Sequence, residues 1–470
     1  MIEILIIFFK AYLIFVIIYF AGVNIVYSLF LGVSYKEILN HMRRNTFADD
    51  RKFVQSEFTY PVSMIAPAFN EGKTVVESVK SLLKLNFGKY EVLVVNDGSK
   101  DETLETMVHE FELLKTNQFY DPVLPAQPVC GIYKSRKPEY RNLTIIDKEN
   151  GGKADALNVG INCAKYDHIC CIDADSILED DALLKSMRPF HEDKTVVAVG
   201  GIIRIANGCK VVNGRVVSVG LSHNLLPIFQ VIEYLRAFLS GRMFWNVFQG
   251  PLIISGAFGI FKKSIIMEVG GYRSDTVGED MELVARIHRI MMEKKRSYKI
   301  IFVPDPVCWT EAPDSLSVLS RQRNRWHRGL LDTLFIHKKM LFNANYGAVG
   351  IGAMPYFLLV ELLGPVFEAM GYLSLMVMYC FGVLNSNIAI LFFIVSLFYG
   401  ALFSVGAVIL EEISFQRYPK PSDLALLLSL GIIENFGYRQ LTVMWRLKGF
   451  FDYFTGNKNW GSMQRKGFGK

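Results

Sequence analysis

The sequence predicts an α/β domain, built on a mostly parallel sheet, held between an N-terminal transmembrane helix and a C-terminal transmembrane helical region. Three observations lead there. From Pro61 onward, short apolar strands alternate with amphipathic helical stretches, the pattern of a parallel sheet. The strands end in polar residues, Asn70 and Glu71, then Asp97, then Asp173 and Asp175, and in such sheets ligands bind beyond the strand C-termini. Hydrophobic residues make up 51% of the 470 and charged residues 20%, with the apolar ones clumped towards the two ends, as bilayer spans require.

At the N-terminus, residues 11–33 form an almost unbroken apolar run whose main polar interruption is Asn24. A signal peptide would have a shorter core and a small-residue cleavage site, so the run reads as an uncleaved anchor. Lys36, His41, Arg43, Arg44, Arg51 and Lys52 follow it, against Lys10 before it. That excess puts the following domain in the cytoplasm. The expected order is an anchor at 1–35, a cytosolic linker at 36–60, the α/β domain with interfacial helices at 61–340, a membrane region at 341–446 and a basic cytosolic tail at 447–470.

The α/β pattern opens with a strand at 62–66, a helix over 71–83 and a second strand at 91–95 that ends in Asn96-Asp97-Gly98-Ser99. No Gly-x-Gly-x-x-Gly follows the first strand, which argues against a dinucleotide fold of the oxidoreductase kind. Residues 115–142, with Pro122, Pro125, Pro128 and Pro138, read as an irregular excursion before the sheet resumes at 143–147. Glu149-Asn150-Gly151-Gly152-Lys153 then makes a glycine turn into a helix. A lysine in a first helical turn opposes the helix dipole, so it suits a phosphate ligand or is simply exposed.

The run His168 to Ile172 ends in Asp173-Ala174-Asp175. An apolar strand capped by two carboxylates at i and i+2 presents both on one face, where they can share a hard cation such as Mn²⁺ or Mg²⁺ or divide between metal and sugar. Alone, the pair reads more readily as a solvated turn after a strand. Residues 221–260 are aromatic and apolar with scattered charge, which fits either an interfacial amphipathic helix under the bilayer or domain core. Ser255-Gly256-Ala257-Phe258-Gly259 lets backbone approach a ligand closely. Glu279 and Asp280 open a helix, where acidic residues complement the dipole even without a function. Arg321 to Arg328 packs four arginines around Trp326, a set suited to phosphate oxygens and a sugar face, or to lipid headgroups.

Residues 347–384 form one long span kinked at Gly364-Pro365, and 388–410 a clear second one. Residues 424–445 carry Glu434 and Arg439 and read as a re-entrant or interfacial segment, which leaves the tail cytoplasmic. Glu361, Glu368, Glu434 and Arg439 are costly in lipid and are candidates to line a path for a nascent product. Seven cysteines without zinc or redox spacing suit reduced packing residues. A net charge of +6 fits anionic lipid or a phosphorylated substrate and is too small to argue for nucleic acid.

Taken together, Asn96-Asp97-Gly98, Asp173-Ala174-Asp175, Gly278-Glu279-Asp280 and Gln322-Arg323-Asn324-Arg325-Trp326 resemble the marks of the membrane-embedded family 2 glycosyltransferases, the group containing the synthases of cellulose, chitin, hyaluronan and poly-N-acetylglucosamine. The likeness covers about residues 60–330 and the surrounding spans. It implies a GT-A-like (Rossmann-like) domain and an integral protein of the cell (inner) membrane. The implied activity is inverting, metal-dependent transfer from a UDP-sugar donor to a glycan or lipid-linked acceptor, processive, making and translocating a β-linked polysaccharide of poly-N-acetylglucosamine or β-glucan type. A secretion partner is left open.

By the same likeness Asp97 contacts the uridine, with Glu71 and Lys153 near the nucleotide. Asp173 sits at the diphosphate and donor sugar and, with Asp175, at Mn²⁺ or Mg²⁺. Asp280 is the general base, with Glu279 beside it, and Gln322, Arg325 and Trp326 bind the diphosphate and the acceptor's terminal sugar. The chain departs from the family where Gly278 replaces the usual threonine. The Gln-Arg-x-Arg-Trp-x-x-Gly form, ending at Gly329, leans towards the N-acetylglucosamine polymer. Two other readings stand beside it: non-processive transfer of one sugar to a polyprenyl phosphate, and a catalytically silent nucleotide-sugar-binding membrane protein.

Overall fold

Apolar runs with β-branched residues build the middle of the domain. A computed structural model describes residues 2–46 and 59–456; residues 47–58 of the expected linker, with Arg51 and Lys52, and residues 457–470 of the expected tail lie outside the described residues. One sheet contains β1 (Val62–Ala68), β2 (Tyr90–Asp97), β3 (Leu113–Thr116), β4 (Val129–Ser135), β5 (Leu143–Lys148), β6 (His168–Ile172), β7 (Ile177–Leu178) and β8 (Val196–Ile205). A small hairpin, β9 (Lys210–Val212) and β10 (Arg215–Ser218), stands apart, and β11 (Phe258–Lys262) and β12 (Lys299–Thr310) complete the large sheet.

Its order is β3-β4-β5-β2-β1-β6-β11-β8-β12-β7. The run β5-β2-β1-β6 is parallel, as the alternating pattern predicts, and delivers Lys148, Asp97 and Asp173 to one edge. The other half is mixed, because β11 runs antiparallel to both β6 and β8. That reversal has a use: Phe258 pairs with Ile172, so the loop leading into β11 lies beside the end of β6. Ser255-Gly256-Ala257 therefore reaches the same edge as the carboxylates.

Residues 115–142 are more ordered than expected. β3 and β4 form an antiparallel edge on β5. Pro122, Pro125 and Pro128 fall in the connection between them, where no ladder hydrogen bond is lost.

The aromatic stretch packs as domain core on one side and against the first helix on the other. Helix Leu225–Leu235 continues through a π-helical segment, Arg236–Arg242, into Met243–Val247. Ile232 and Leu239 are fully buried. On the other side, Ser34 Oγ of the first helix donates to Ser240 O at 2.8 Å. The segment is wedged between sheet and membrane helices.

Three helices among the described residues are long and apolar enough to cross a membrane: Glu3–Arg44, Val349–Cys380 and Ser386–Ser414. The Gly364-Pro365 break falls where π-helical Phe357–Leu362 gives way to helix Gly364–Cys380. Residues 424–445 divide into helices Pro421–Ile433 and Tyr438–Phe454, separated by Gly437 at φ +96°. Two expected boundaries fall inside helices. The anchor continues as one helix, Ile2–Thr46, tied by His41 to Asp305 at 2.6 Å. The last helix runs past 446 because Asp452 accepts from Asn324 Nδ2 at 2.6 Å and Gly449 packs on His327.

The charges predicted to line a path are paired with protein groups. Glu368 meets Arg439 at 2.9 Å, Glu361 meets Arg446 at 3.2 Å, and Glu434 meets Arg236.

Candidate active site

Asp97 ends β2 and is buried. Its carboxylate accepts from Lys148 Nζ at 2.5 Å, from Gly151 N at 2.9 Å and from Gly152 N at 2.8 Å. Lys148, at the end of β5, is itself buried and also meets Asp155 at 2.7 Å. Both oxygens of Asp97 are thus engaged by the turn that opens helix Lys153–Cys163. The expected uridine contact would have to compete with these bonds, and the observed geometry makes Asp97 the clamp that sets where Lys153 begins. Lys148 was not singled out from the sequence. A lysine closing an apolar strand directly before the glycine turn was the available signal.

Lys153 reaches across the edge of the sheet. Its Nζ lies 2.5 Å from Asp173 Oδ1 and 4.0 Å from Glu279 Oε1, and donates to Gly256 O at 3.2 Å. Burial lowers the pKa of this ammonium, but the surrounding carboxylates, Asp173 foremost, outweigh it and push it up to about 12. Lys153 is a fixed cation at any working pH.

Asp173 and Asp175 are not on a strand. β6 stops at Ile172, and Ser176 N donates to Asp173 O at 3.0 Å, so the pair sits in a tight turn. The turn separates their settings: Asp173 is partly open beside Lys153, whereas Asp175 is buried. Among the described residues no group of three or more His, Cys, Asp or Glu could hold a metal ion. Two carboxylates nonetheless fit a hard cation that takes its other ligands from substrate phosphates and water. The ammonium held by Asp173 marks where positive charge is already accommodated.

Asp280 is aimed by backbone. Gly256 N donates to its Oδ2 at 3.1 Å and Met281 N to its Oδ1 at 2.8 Å. A Cβ at 256 would lie 2.8 Å from Lys153 Nζ and 3.6 Å from Asp280 Oδ2, so a larger residue there would displace the ammonium. Glu279 precedes it at the start of helix Glu279–Glu293 and is buried. Burial raises the pKa of Glu279, Lys153 draws it down and Asp280 raises it again, leaving it above the ordinary glutamate value.

Helix Leu316–Ile336 brings the third group. Arg325 is close enough to Glu279 to act on its charge. The buried Oε1 of Gln322 has no hydrogen-bond partner among the described residues. Trp326 is 42% exposed, available to stack on a ligand. Glu71 sits in the loop after β1, its Oε2 accepting from Thr74 Oγ1 at 2.7 Å. Arg242 was also missed: its guanidinium lies 3.9 Å from the Phe238 ring centroid, and burial lowers its pKa to about 10 against the attraction of Asp280.

A small cleft lined by Lys153, Gly256, Glu279 and Asp280 is the centre of the arrangement. It offers an aimed carboxylate and a fixed cation at one sheet edge, and helix Leu316–Ile336, which brings Arg325 to Glu279, carries the exposed indole of Trp326; these are the parts needed to transfer a group from an anionic leaving group to a hydroxyl.

The family description "Glycosyltransferase like family 2" matches residues 133–329, and "Glycosyl transferase family 2" matches residues 63–115. Poly-beta-1,6-N-acetyl-D-glucosamine synthase of Staphylococcus aureus (strain COL) is 30% identical over 269 residues, which are 57% of this chain and 54% of that protein. Its counterpart from Staphylococcus epidermidis is 29% identical over the same shares. The chain spans about half the length of these curated relatives. Among solved structures, mannosyltransferase PcManGT from Pyrobaculum calidifontis, in complex with GDP-Man and Mn²⁺, aligns over 89% of this chain and 99% of its own, with a TM-score of 0.50 and 16% identity, a likeness of fold.

Proposed function

The chain belongs to the family 2 glycosyltransferases, and from that premise we propose that it is an inverting UDP-sugar transferase that extends a β-linked polysaccharide of the poly-N-acetylglucosamine type, processively, from the cytoplasmic side of the membrane. The observation that carries the reading is the meeting of Asp280 and Lys153 on Gly256, with Asp173 paired to the same Lys153. The sequence likeness to the staphylococcal synthases supports the choice of sugar.

In this reading, the acceptor's terminal sugar stacks on Trp326, and one of its hydroxyls faces Asp280. The Asp280 carboxylate, held by the Gly256 and Met281 amides, takes the hydroxyl proton as that oxygen attacks the anomeric carbon. The bond from the anomeric carbon to the UDP oxygen breaks on the opposite side, so configuration inverts. Lys153 and Arg325 offset the charge that builds on the departing diphosphate. Asp97 and Lys148 act at one remove, holding the turn that places Lys153. Mn²⁺ or Mg²⁺ would be held by Asp173 and Asp175 with diphosphate oxygens, and when bound supplies further stabilisation of that charge.

The test is UDP release by detergent-purified protein against a panel of UDP-sugars, with Mn²⁺ and with a chelator. Release with UDP-N-acetylglucosamine that stops on chelation is expected. Release with no donor at all would overturn the reading.

A further inference from the structure

Trp326 is held from behind. The guanidinium of Arg323 lies 4.5 Å from its ring centroid, covering one face, while the residue as a whole stays 42% exposed. Arg323 is buried and paired with Glu233 of the wedged helix. Glu233 Oε2 in turn accepts from Tyr438 OH at 3.0 Å, and Tyr438, buried, stacks on Phe229 at 4.7 Å. The next residue, Arg439, bonds Glu368 and Ser396 O in the two later membrane-crossing helices. An unbroken chain of contacts therefore runs from the exposed indole through Arg323, Glu233 and Tyr438 to the spans.

A bare indole on a helix surface turns among several rotamers, and fixing one lowers the cost of binding a ligand on it. A planar, permanently charged guanidinium stacks on an aromatic face as lysine does not. We propose that Arg323 is a positioning residue that sets the indole of Trp326 for the acceptor's terminal sugar, and that Glu233 and Tyr438 make this setting depend on how the last helix is seated against the membrane spans. The proposal rests on the glycosyltransferase reading above for the identity of the ligand. The contacts themselves do not depend on it.

The experiment compares wild type with Arg323→Met, Arg323→Lys and Tyr438→Phe in two measurements. The first uses UDP-N-acetylglucosamine and a β-linked N-acetylglucosamine oligomer and separates acceptor KM, kcat and UDP affinity. Arg323→Met should raise the acceptor KM about 5- to 30-fold, from the usual worth of a desolvated cation–π contact, with UDP affinity within about twofold of wild type. Tyr438→Phe, which leaves the Arg323–Glu233 pair in place, should raise it less, and Arg323→Lys should fall between. The second measurement is Trp326 fluorescence, taken as the difference between each protein and its Trp326→Phe counterpart. Arg323→Met should make Trp326 more readily quenched by acrylamide, and Tyr438→Phe should do so to a smaller degree.

An unchanged acceptor KM in a folded Arg323→Met protein overturns the inference, as does unchanged quenching. If wild type transfers no sugar, the glycosyltransferase reading fails instead, and the quenching result alone upholds or overturns the positioning of Trp326.

Discussion

Gly278 and Gly329 meet backbone to backbone: a Cβ built on either would lie 2.7 Å from the Cα of the other. Gly278 directly precedes Glu279, and Gly329 lies three residues beyond Trp326. Their contact is where the start of the helix bearing the candidate base crosses the helix bearing the candidate acceptor platform, so it sets the distance between the two. The family's usual threonine at 278 would not fit this crossing.

Gly329→Ala tests the crossing with opposed signs. In an ordinary helix interior the change gains about 1 kcal/mol of helix propensity. Here the methyl group must separate two backbones, and overpacking of that kind costs about 1–3 kcal/mol. Thermal unfolding should show a loss of stability, and Gly278→Thr should show a larger one. A stabilised Gly329→Ala protein would mean that the helices part freely.

Asp280→Asn keeps an acceptor oxygen for the Gly256 amide and gives up only the bond from Met281 N, so the cleft should stay close to its shape while losing its base. Turnover should fall about 10²- to 10⁴-fold, with UDP affinity close to wild type by calorimetry. Activity near wild type would remove Asp280 from the chemistry.

The two shifted groups of the cleft have different pH signatures. Folding raises Glu279 above 4.5, mainly through burial. The folded state therefore holds a proton that the unfolded chain has released, and stability falls as pH rises from 4.5 through the folded value. Lys153, raised from 10.5 to about 12, contributes stability that is complete below 10.5 and lost as pH rises through 12. In unfolding measured from pH 4 to 7, Glu279→Gln should gain on wild type as pH increases. A constant difference would contradict the shift.

Much of this was legible because the sequence signals were local. The runs at 62–66, 91–95 and 168–172 are mostly apolar and are followed by polar residues, and they form the neighbouring strands β1, β2 and β6. The acidic and aromatic motifs were found because each is contiguous. What was missed depends on partners far along the chain. Nothing near Asp97 announces that Lys148, 51 residues away, will take its carboxylate. Nothing in Gly278 announces Gly329. Period-two spacing reads the Asp-x-Asp pair as a strand end and cannot tell that from a tight turn. The edge strands β3 and β4 were hidden by prolines that lie only in their connection.

The pairing of Glu368 with Arg439 predicts a sign for each substitution. Removing one partner leaves a buried charge unpaired, so Glu368→Gln should cost on the order of 3 kcal/mol. Replacing both with methionine should recover most of that stability, because the desolvation penalty goes with the pair. Unfolding of Glu368→Met, Arg439→Met and the double variant forms the cycle. A harmless Glu368→Gln would show that the pair is not needed for folding and would favour a role for Glu368 in lining a glycan path.

The most direct single measurement is the size of the product formed by the purified protein from labelled UDP-N-acetylglucosamine and Mn²⁺. A ladder or high-mass chain, lost in Asp280→Asn, is the expected result for a polysaccharide synthase. One sugar attached to a lipid would contradict it.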